Sequence, residues 1–176
     1  NINSVRLRLA LLKKLVIDHQ PDIICLQEIK VENDLFPLQM IQMLGYNYLY
    51  YQGQKSYHGV AILSKIAAES SFSLEFYNGD KRHIAVQVGG YEIHNFYVPA
   101  GGDIACIVEN AKFKHKIEYI GLVQKWFAEN RSRDNKIILT GDLNIAPHEH
   151  DVWSSNQLRN VVSHTEIERS LLISLQ

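Results

Sequence analysis

At 176 residues the chain is long enough for one domain with a real core, and 46% hydrophobic against 21% charged residues excludes a disordered chain. A formal net charge of -1 and a pI near 6.8 exclude a global basic field, though not a local basic groove. No apolar run is long enough to span a bilayer.

In chain order, Val5, Leu9, Leu12 and Val16 recur at helical spacing, with Arg6, Arg8, Lys13 and Lys14 among them, so an amphipathic helix is predicted that stops near Pro21. The run "DIICLQ" reads as a strand buried on both faces. Cys25 within it reads as core packing, which points to a reducing cytoplasm. A second helix is predicted over Asp34 to Leu44, ended by Gly45. Five strand-like stretches follow, "YNYLYY", "GVAILS", "SFSLEFY", "HIAVQV" and "YEIHNFYV", the last two joined by the hairpin signal Gly89-Gly90. Ile107 to Asn130 turns helical again, with Ile117, Ile120, Val123 and Phe127 as its inner stripe. "KIILTG" is another buried strand, and Val152 to Gln176 reads as loop and short helices. Residues 1–176 are expected to form a single α/β (α+β) domain: two mixed sheets in a sandwich, flanked by helices. No signal peptide is visible. With Asn1 in place of a methionine and a last helix without a stop, the domain is expected to be truncated at both ends.

Three apolar strands end in polar residues. "IICLQEIK" delivers Gln27 and Glu28, "EIHNFYVPAGG" carries Asn95 and Tyr97, and "IILTGDLNIAP" carries Asp142 and Asn144. Strand ends at a sheet rim are common binding clefts, and residues two apart in an extended segment face one side. Glu28 suits a hard cation such as Mg²⁺, Asp142 an attacking water's proton, Asn144 a positioning amide, and Tyr97 a donor to developing charge. Each residue also has a plainer use, since a Glu after a strand is at home in a solvated loop and Asp-x-Asn in a turn or cap.

Five motifs in order, "NINSVR", "LQEIK", "HGVAILSK", "NFYVPAGG" and "GDLNIAP", resemble those of the exonuclease III type of apurinic/apyrimidinic endonuclease, in the endonuclease/exonuclease/phosphatase superfamily. The resemblance covers essentially the whole chain and implies that family's four-layer fold, a sandwich of two sheets between helices. It implies Glu28 as metal ligand, with Asn1 and Asn3 lining the metal site. Tyr97 would touch the scissile phosphate, Asp142 would act on the water or leaving oxygen, and Asn144 would sit beside the phosphate. The implied reaction is Mg²⁺-dependent hydrolysis (with Mn²⁺ as a substitute) of double-stranded DNA 5′ to abasic sites, with trimming of blocked 3′ ends, by a monomer.

Ser4 and Ala100 depart from the family's Gly and Asn or Gln, and the family's late Ser-Asp-His motif does not occur here. His148, His150 and His164 read instead as surface or loop histidines. Local charge for DNA is expected from Arg6 and Arg8, Lys30, Arg131 to Lys136 and "AKFKHK" at Ala111 to Lys116, where Lys112 and Lys116 fit the family pattern, though "KFKHK" also reads as the solvated face of a helix; Asn95 joins them as a substrate contact. Two rivals remain open: a superfamily phosphatase or phosphodiesterase acting on a non-DNA phosphoester, and a catalytically incomplete fragment that binds DNA or a partner.

Overall fold

The computed structural model describes residues 1–175. The chain groups into two compact units, Asn1–Tyr97 with Asn135–Asp142, and Val98–Asp134 with Leu143–Gln176.

The first unit holds all the strands. Helix α1 (Leu9–His19) begins one turn later than the apolar spacing predicts, because residues 5–8 form turns that serve the chain's first segment. It ends at Gln20 in the left-handed conformation, whose N–H bonds the Val16 carbonyl, with Pro21 next in sequence. The helix predicted over Asp34 to Leu44 is instead a 3-10 turn (Asn33–Leu35) and a short α2 (Leu38–Gln42). Pro37 separates them, since it lacks an N–H and biases Phe36 away from helical backbone.

Strands β1 (Ile23–Gln27), β2 (Tyr48–Gln52) and β3 (Val60–Ser64) form an antiparallel sheet in the order β1-β3-β2. Strands β4 (Ser70–Phe72), β5 (His83–Val88), β6 (Tyr91–Tyr97) and β7 (Ile137–Asp142) form the second sheet in sequence order. Only its β6–β7 pair is parallel, so only this sheet is mixed. Alternation along β3 builds two cores. Ala61 and Leu63 pack with Leu12, Ile24, Leu26 and Ile41 under the helices, while Val60 and Ile62 pack with Ile84, Val86 and Ile93 between the sheets. The long strand predicted at "SFSLEFY" is only three residues. Beyond it the Ser73 hydroxyl donates to the His83 carbonyl, and the Leu74 N–H donates to His83 Nδ1 at 3.0 Å, so side-chain partners replace the ladder.

That last bond settles a buried relay. With Nδ1 accepting, His83 must donate through Nε2 to His94 Nδ1 (2.9 Å), and His94 Nε2 then donates to Glu92 (2.5 Å). Both rings are fully buried, and the chain of bonds is satisfied with His83 neutral. Burial first, then the His94 ring, holds His83 down at about 3 from its ordinary 6.5.

The second unit contains α3 (Ala111–Asn130), a 3-10 turn (Glu149–Asp151), α4 (Ser155–Leu158) and α5 (Glu166–Ile173). Helix α3 starts at Ala111, because the Asn110 side chain accepts from the Lys112 N–H and caps it. Its buried face is Phe113, Lys116, Tyr119, Ile120 and Val123, so Ile117 and Phe127 lie at the margin of the predicted stripe. His164 corrects the surface reading: it is buried, accepting from or donating to Ser155 Oγ and donating from Nδ1 to the Ala146 carbonyl, both at 2.8 Å.

Two expectations follow. Gly141 has φ +136°, and a β-carbon there would stand 2.0 Å from the Phe96 carbonyl oxygen. Gly141→Ala should therefore cost at least about 2 kcal/mol, read as a lowered urea midpoint. Second, between about pH 6.5 and 3 the unfolded chain binds a proton at His83 that the folded chain refuses. Stability contributed by this group is thus complete above pH 6.5 and falls with pH, by at most about 1.4 kcal/mol per unit. His83→Gln should flatten that part of the stability–pH curve relative to wild type.

Candidate active site

The site in the first unit is assembled where the strands end. Immediately after β1, the chain turns sharply through Glu28 (φ +53°) and Lys30 (φ +49°). The Ile29 and Lys30 N–H groups donate to the carbonyls of Gly59 and His58. The first residues run alongside: Ile2 N–H donates to Gln27, Ser4 N–H to Glu28 and Val5 N–H to Ile29. Asn3 (φ +47°) and Ser4 (φ +86°) are also left-handed. At Ser4 the β-carbon that replaces the family's glycine stands in a conformation that costs a side chain on the order of 1 kcal/mol. Such strain gathers at sites that the surrounding bonds over-determine.

Glu28 is the centre. Its Oε1 accepts from Asn1 Nδ2 and from the Tyr97 hydroxyl, each at 2.7 Å, and its Oε2 meets Lys30 Nζ at 2.8 Å. Burial pushes this carboxyl up, but the hydrogen bonds from Lys30, Asn1 and Tyr97 and the Lys30 charge outweigh it and bring it down to about 2. Tyr97 moves the other way, to about 12, through burial and then its bond to the Glu28 carboxylate. It therefore remains a donor throughout the ordinary pH range.

The Asn1 amide also donates to Asp142 Oδ2 at 2.7 Å, so one side chain joins two carboxylates. Asp142 is delivered by the parallel register that sets it opposite Tyr97, one step after Gly141 opposite Phe96. Asn3 accepts from Lys30 Nζ at 2.5 Å and, through its backbone carbonyl, from Arg8. Five of the predicted residues, Asn1, Asn3, Glu28, Tyr97 and Asp142, are thus brought together, and Lys30 joins them with its charge turned inward to Glu28.

The predicted substrate contact at Asn95 is corrected: the residue is fully buried. Its Oδ1 accepts from Gln27 (2.6 Å), and its Nδ2 donates to the carbonyls of Leu26 (3.0 Å) and Ala61 (2.9 Å). It ties β6 to β1 and β3 and has nothing left to offer a ligand. Arg6 is exposed. Three residues missed from the sequence surround Tyr97, namely His58, Asp80 and Arg82. The sequence did carry a signal for His58, which opens the motif "HGVAILSK"; for Asp80 and Arg82 the signal was an arginine between the acidic turn "GDK" and an apolar strand.

In the second unit, Asn144 (φ +49°) donates from its amide to the Val98 carbonyl at 2.9 Å. Lys112 is exposed. Lys116 corrects the expected DNA contact. Its side chain is wholly buried in an ion pair with Glu168 at 2.5 Å, and it also donates to the carbonyls of Asn144 (2.6 Å) and Ala100 (3.2 Å). Glu168 in turn accepts from the N–H groups of Ser163 and Thr165 and from the Thr165 hydroxyl. This lysine holds loops together; it presents no charge at the surface.

The donor chemistry around Glu28 fits a hard divalent cation. It offers an ionised carboxylate, a second carboxylate at Asp142 and amide oxygens, without thiolate or imidazole. Among the described residues no cluster of three or more His, Cys, Asp or Glu side chains forms a cage. The oxygen donors are of the kind that a hard cation takes, one or two carboxylates with water completing the shell, and Lys30 Nζ lies on Glu28 Oε2 and Asn3 Oδ1.

Comparison with known proteins gives the family. The family model described as the endonuclease/exonuclease/phosphatase family matches residues 1–167. The chain is 31% identical over 166 residues to exodeoxyribonuclease III of Haemophilus influenzae, covering 90% of this chain and 61% of that protein. It is 26% identical to recombination repair protein 1 of Drosophila melanogaster, covering 89% of this chain and 22% of that one. The chain thus spans about three fifths, or less, of these relatives. Among solved structures, an AP endonuclease from Archaeoglobus fulgidus matches with a TM-score of 0.89 at 29% identity, over 99% of this chain and 67% of its own. A 3′-5′ exonuclease from Neisseria meningitidis matches with a TM-score of 0.89 at 31% identity, over 99% and 68%. The chain belongs to the endonuclease/exonuclease/phosphatase family.

Proposed function

We propose that the chain carries a Mg²⁺-dependent DNA phosphodiesterase that hydrolyses duplex DNA 5′ to abasic sites and trims blocked 3′ ends. The observation that carries this reading is the Asn1 amide bridging the carboxylates of Glu28 and Asp142, with the Tyr97 phenol donating to the same Glu28 oxygen. The names of the relatives, an exodeoxyribonuclease, an AP endonuclease and a 3′-5′ exonuclease, supply the substrate class.

Glu28, with Asn1 and Asn3 beside it, would hold the Mg²⁺ ion, which when bound supplies charge neutralisation at the phosphate. The chain's own residues do the rest. Asp142 takes the proton of an attacking water. Tyr97, kept protonated, donates through its hydroxyl to a phosphate oxygen as charge develops there. Arg6 contributes sequence-independent attraction to the DNA backbone, and in the second unit the Asn144 amide and Lys112 are proposed as phosphate contacts of that unit's own. The proposed working form is a monomer in the cytoplasm. Among the described residues no helix is long and apolar enough to cross a membrane.

The test is incision of an end-labelled duplex holding one abasic-site analogue, with Mg²⁺ or with EDTA. Cleavage is expected in Mg²⁺ and none in EDTA. Asp142→Asn should lower the rate at least about a hundredfold at unchanged thermal stability. Glu28→Gln should raise the Mg²⁺ concentration needed for half-maximal rate. A folded wild-type chain that binds the duplex and leaves it uncut in Mg²⁺ would overturn the proposal.

A further inference from the structure

Tyr97 needs more than a strand end to aim its hydroxyl. A tyrosine ring turns about two side-chain torsions, so the phenol is placed only if something packs its faces. One face is covered by Arg82, whose guanidinium carbon lies 4.8 Å from the ring centroid. The His58 ring stands nearby, centroid to centroid 6.1 Å and tilted by 47°.

Arg82 is itself pinned. Its side chain is 8% exposed, and its Nε donates to Asp80 Oδ2 at 2.8 Å. Nη1 donates to the Tyr97 carbonyl at 3.2 Å, and Nη2 lies 3.4 Å from His58 Nε2. Asp80 Oδ1 is 3.8 Å from the same histidine nitrogen. The Tyr97 N–H returns a bond to the Arg82 carbonyl at 2.8 Å. Arg82 thus grips Tyr97 at three points: its N–H, its carbonyl and its ring. A buried guanidinium is costly unless paired, and Asp80 supplies the pair.

We propose that Arg82, braced by Asp80 and His58, is a positioning residue that fixes the Tyr97 phenol against Glu28. The inference rests on the reading of the site as a phosphodiesterase centre. It assigns Arg82 no contact with substrate; its influence passes through the Tyr97 hydroxyl. Planarity makes the role specific to arginine. A fork can stack on a ring while donating from its edge to a carboxylate and a carbonyl, whereas the lysine ammonium, a point charge, cannot.

A double-mutant cycle in the full chain separates this role from a merely structural one. Arg82→Gln should lower kcat for incision about tenfold with KM within about twofold. Tyr97→Phe keeps the ring and removes the hydroxyl, so in that background Arg82→Gln should change kcat less than about twofold. Arg82→Lys should stay near the Gln variant, and Asp80→Asn, a milder loosening of the brace, should show a smaller loss of the same kind. Losses that multiply across the cycle would overturn the proposal, because Arg82 would then act without the phenol. A second readout needs no turnover. In ring-¹³C-tyrosine NMR spectra the Tyr97 signals should shift in Arg82→Gln and Asp80→Asn, with the other tyrosines little changed. Should wild type fail to cut, the phosphodiesterase reading falls while these spectra still decide the clamp: unmoved Tyr97 signals would overturn it.

Discussion

The site depends on a carboxylate kept ionised in a partly enclosed place. Glu28 sits just past the last residue of a buried strand, where loss of water works against its charge. Three donors reverse that tendency, and each comes from a different part of the first unit. Asn1 comes from the first segment, Lys30 from the turn after β1, and Tyr97 from the end of β6. Their convergence explains features that otherwise look unrelated. The first residues must lie alongside the end of β1, so Asn3 and Ser4 take left-handed backbone. The chain must turn at once after Gln27, so Glu28 and Lys30 do the same. And β7 must approach β6 closely enough to set Asp142 within reach of Asn1, which only glycine at 141 permits.

Local strain of this kind persists when the surroundings leave no easier arrangement. The surroundings here are polar and buried. Gln27 and Asn95 spend their side-chain bonds on one another and on strand carbonyls directly beneath the site. Inside the sheet layer an unpaired amide would cost far more than in water, so a satisfied one holds its neighbours in a single arrangement. On the far side of Tyr97 the Arg82, Asp80 and His58 group does the same with charge. The Glu28 carboxylate thus has the buried Gln27–Asn95 pair on one neighbouring strand end and, through Tyr97, the Arg82, Asp80 and His58 group on another.

Much of this was legible in the residues. The two-faced burial of "DIICLQ" announces a layered core, and the polar ends of three strands mark the rim. Legibility stopped where tertiary partners override local pattern. "SFSLEFY" alternates like a long strand, yet the Ser73 hydroxyl and the Leu74 N–H bond His83 instead. The helix predicted from Ile107 starts later, because the Asn110 side chain caps it at Ala111. Strict alternation from Asp142 to Asn144 also fails, because β7 ends at Asp142 and Asn144 turns left-handed.

The misread residues share one physical cause. Asn95, Lys116 and His164 were taken for groups that face a ligand or solvent, and all three are buried and bonded to protein. Such residues are needed wherever loops and strand ends have lost water. A charged group at a strand end must be held by loops whose own carbonyls and N–H groups have lost water, and only polar side chains can satisfy those. Lys116 shows the logic in the second unit, where one ammonium serves the carbonyls of Ala100 and Asn144 and is itself neutralised by Glu168. Brace and reacting group are thus drawn from the same residue types, and Asn95 stands two positions from Tyr97 in one motif. Periodicity cannot separate them, since both break the apolar pattern alike. What separates them is whether a polar atom remains once the protein's own demands are met. By that measure the Asn95 amide is spent, whereas the half-buried Glu28 carboxylate, though it accepts from Asn1, Tyr97 and Lys30, keeps further lone pairs, and the Tyr97 hydroxyl spends its one proton on that carboxylate.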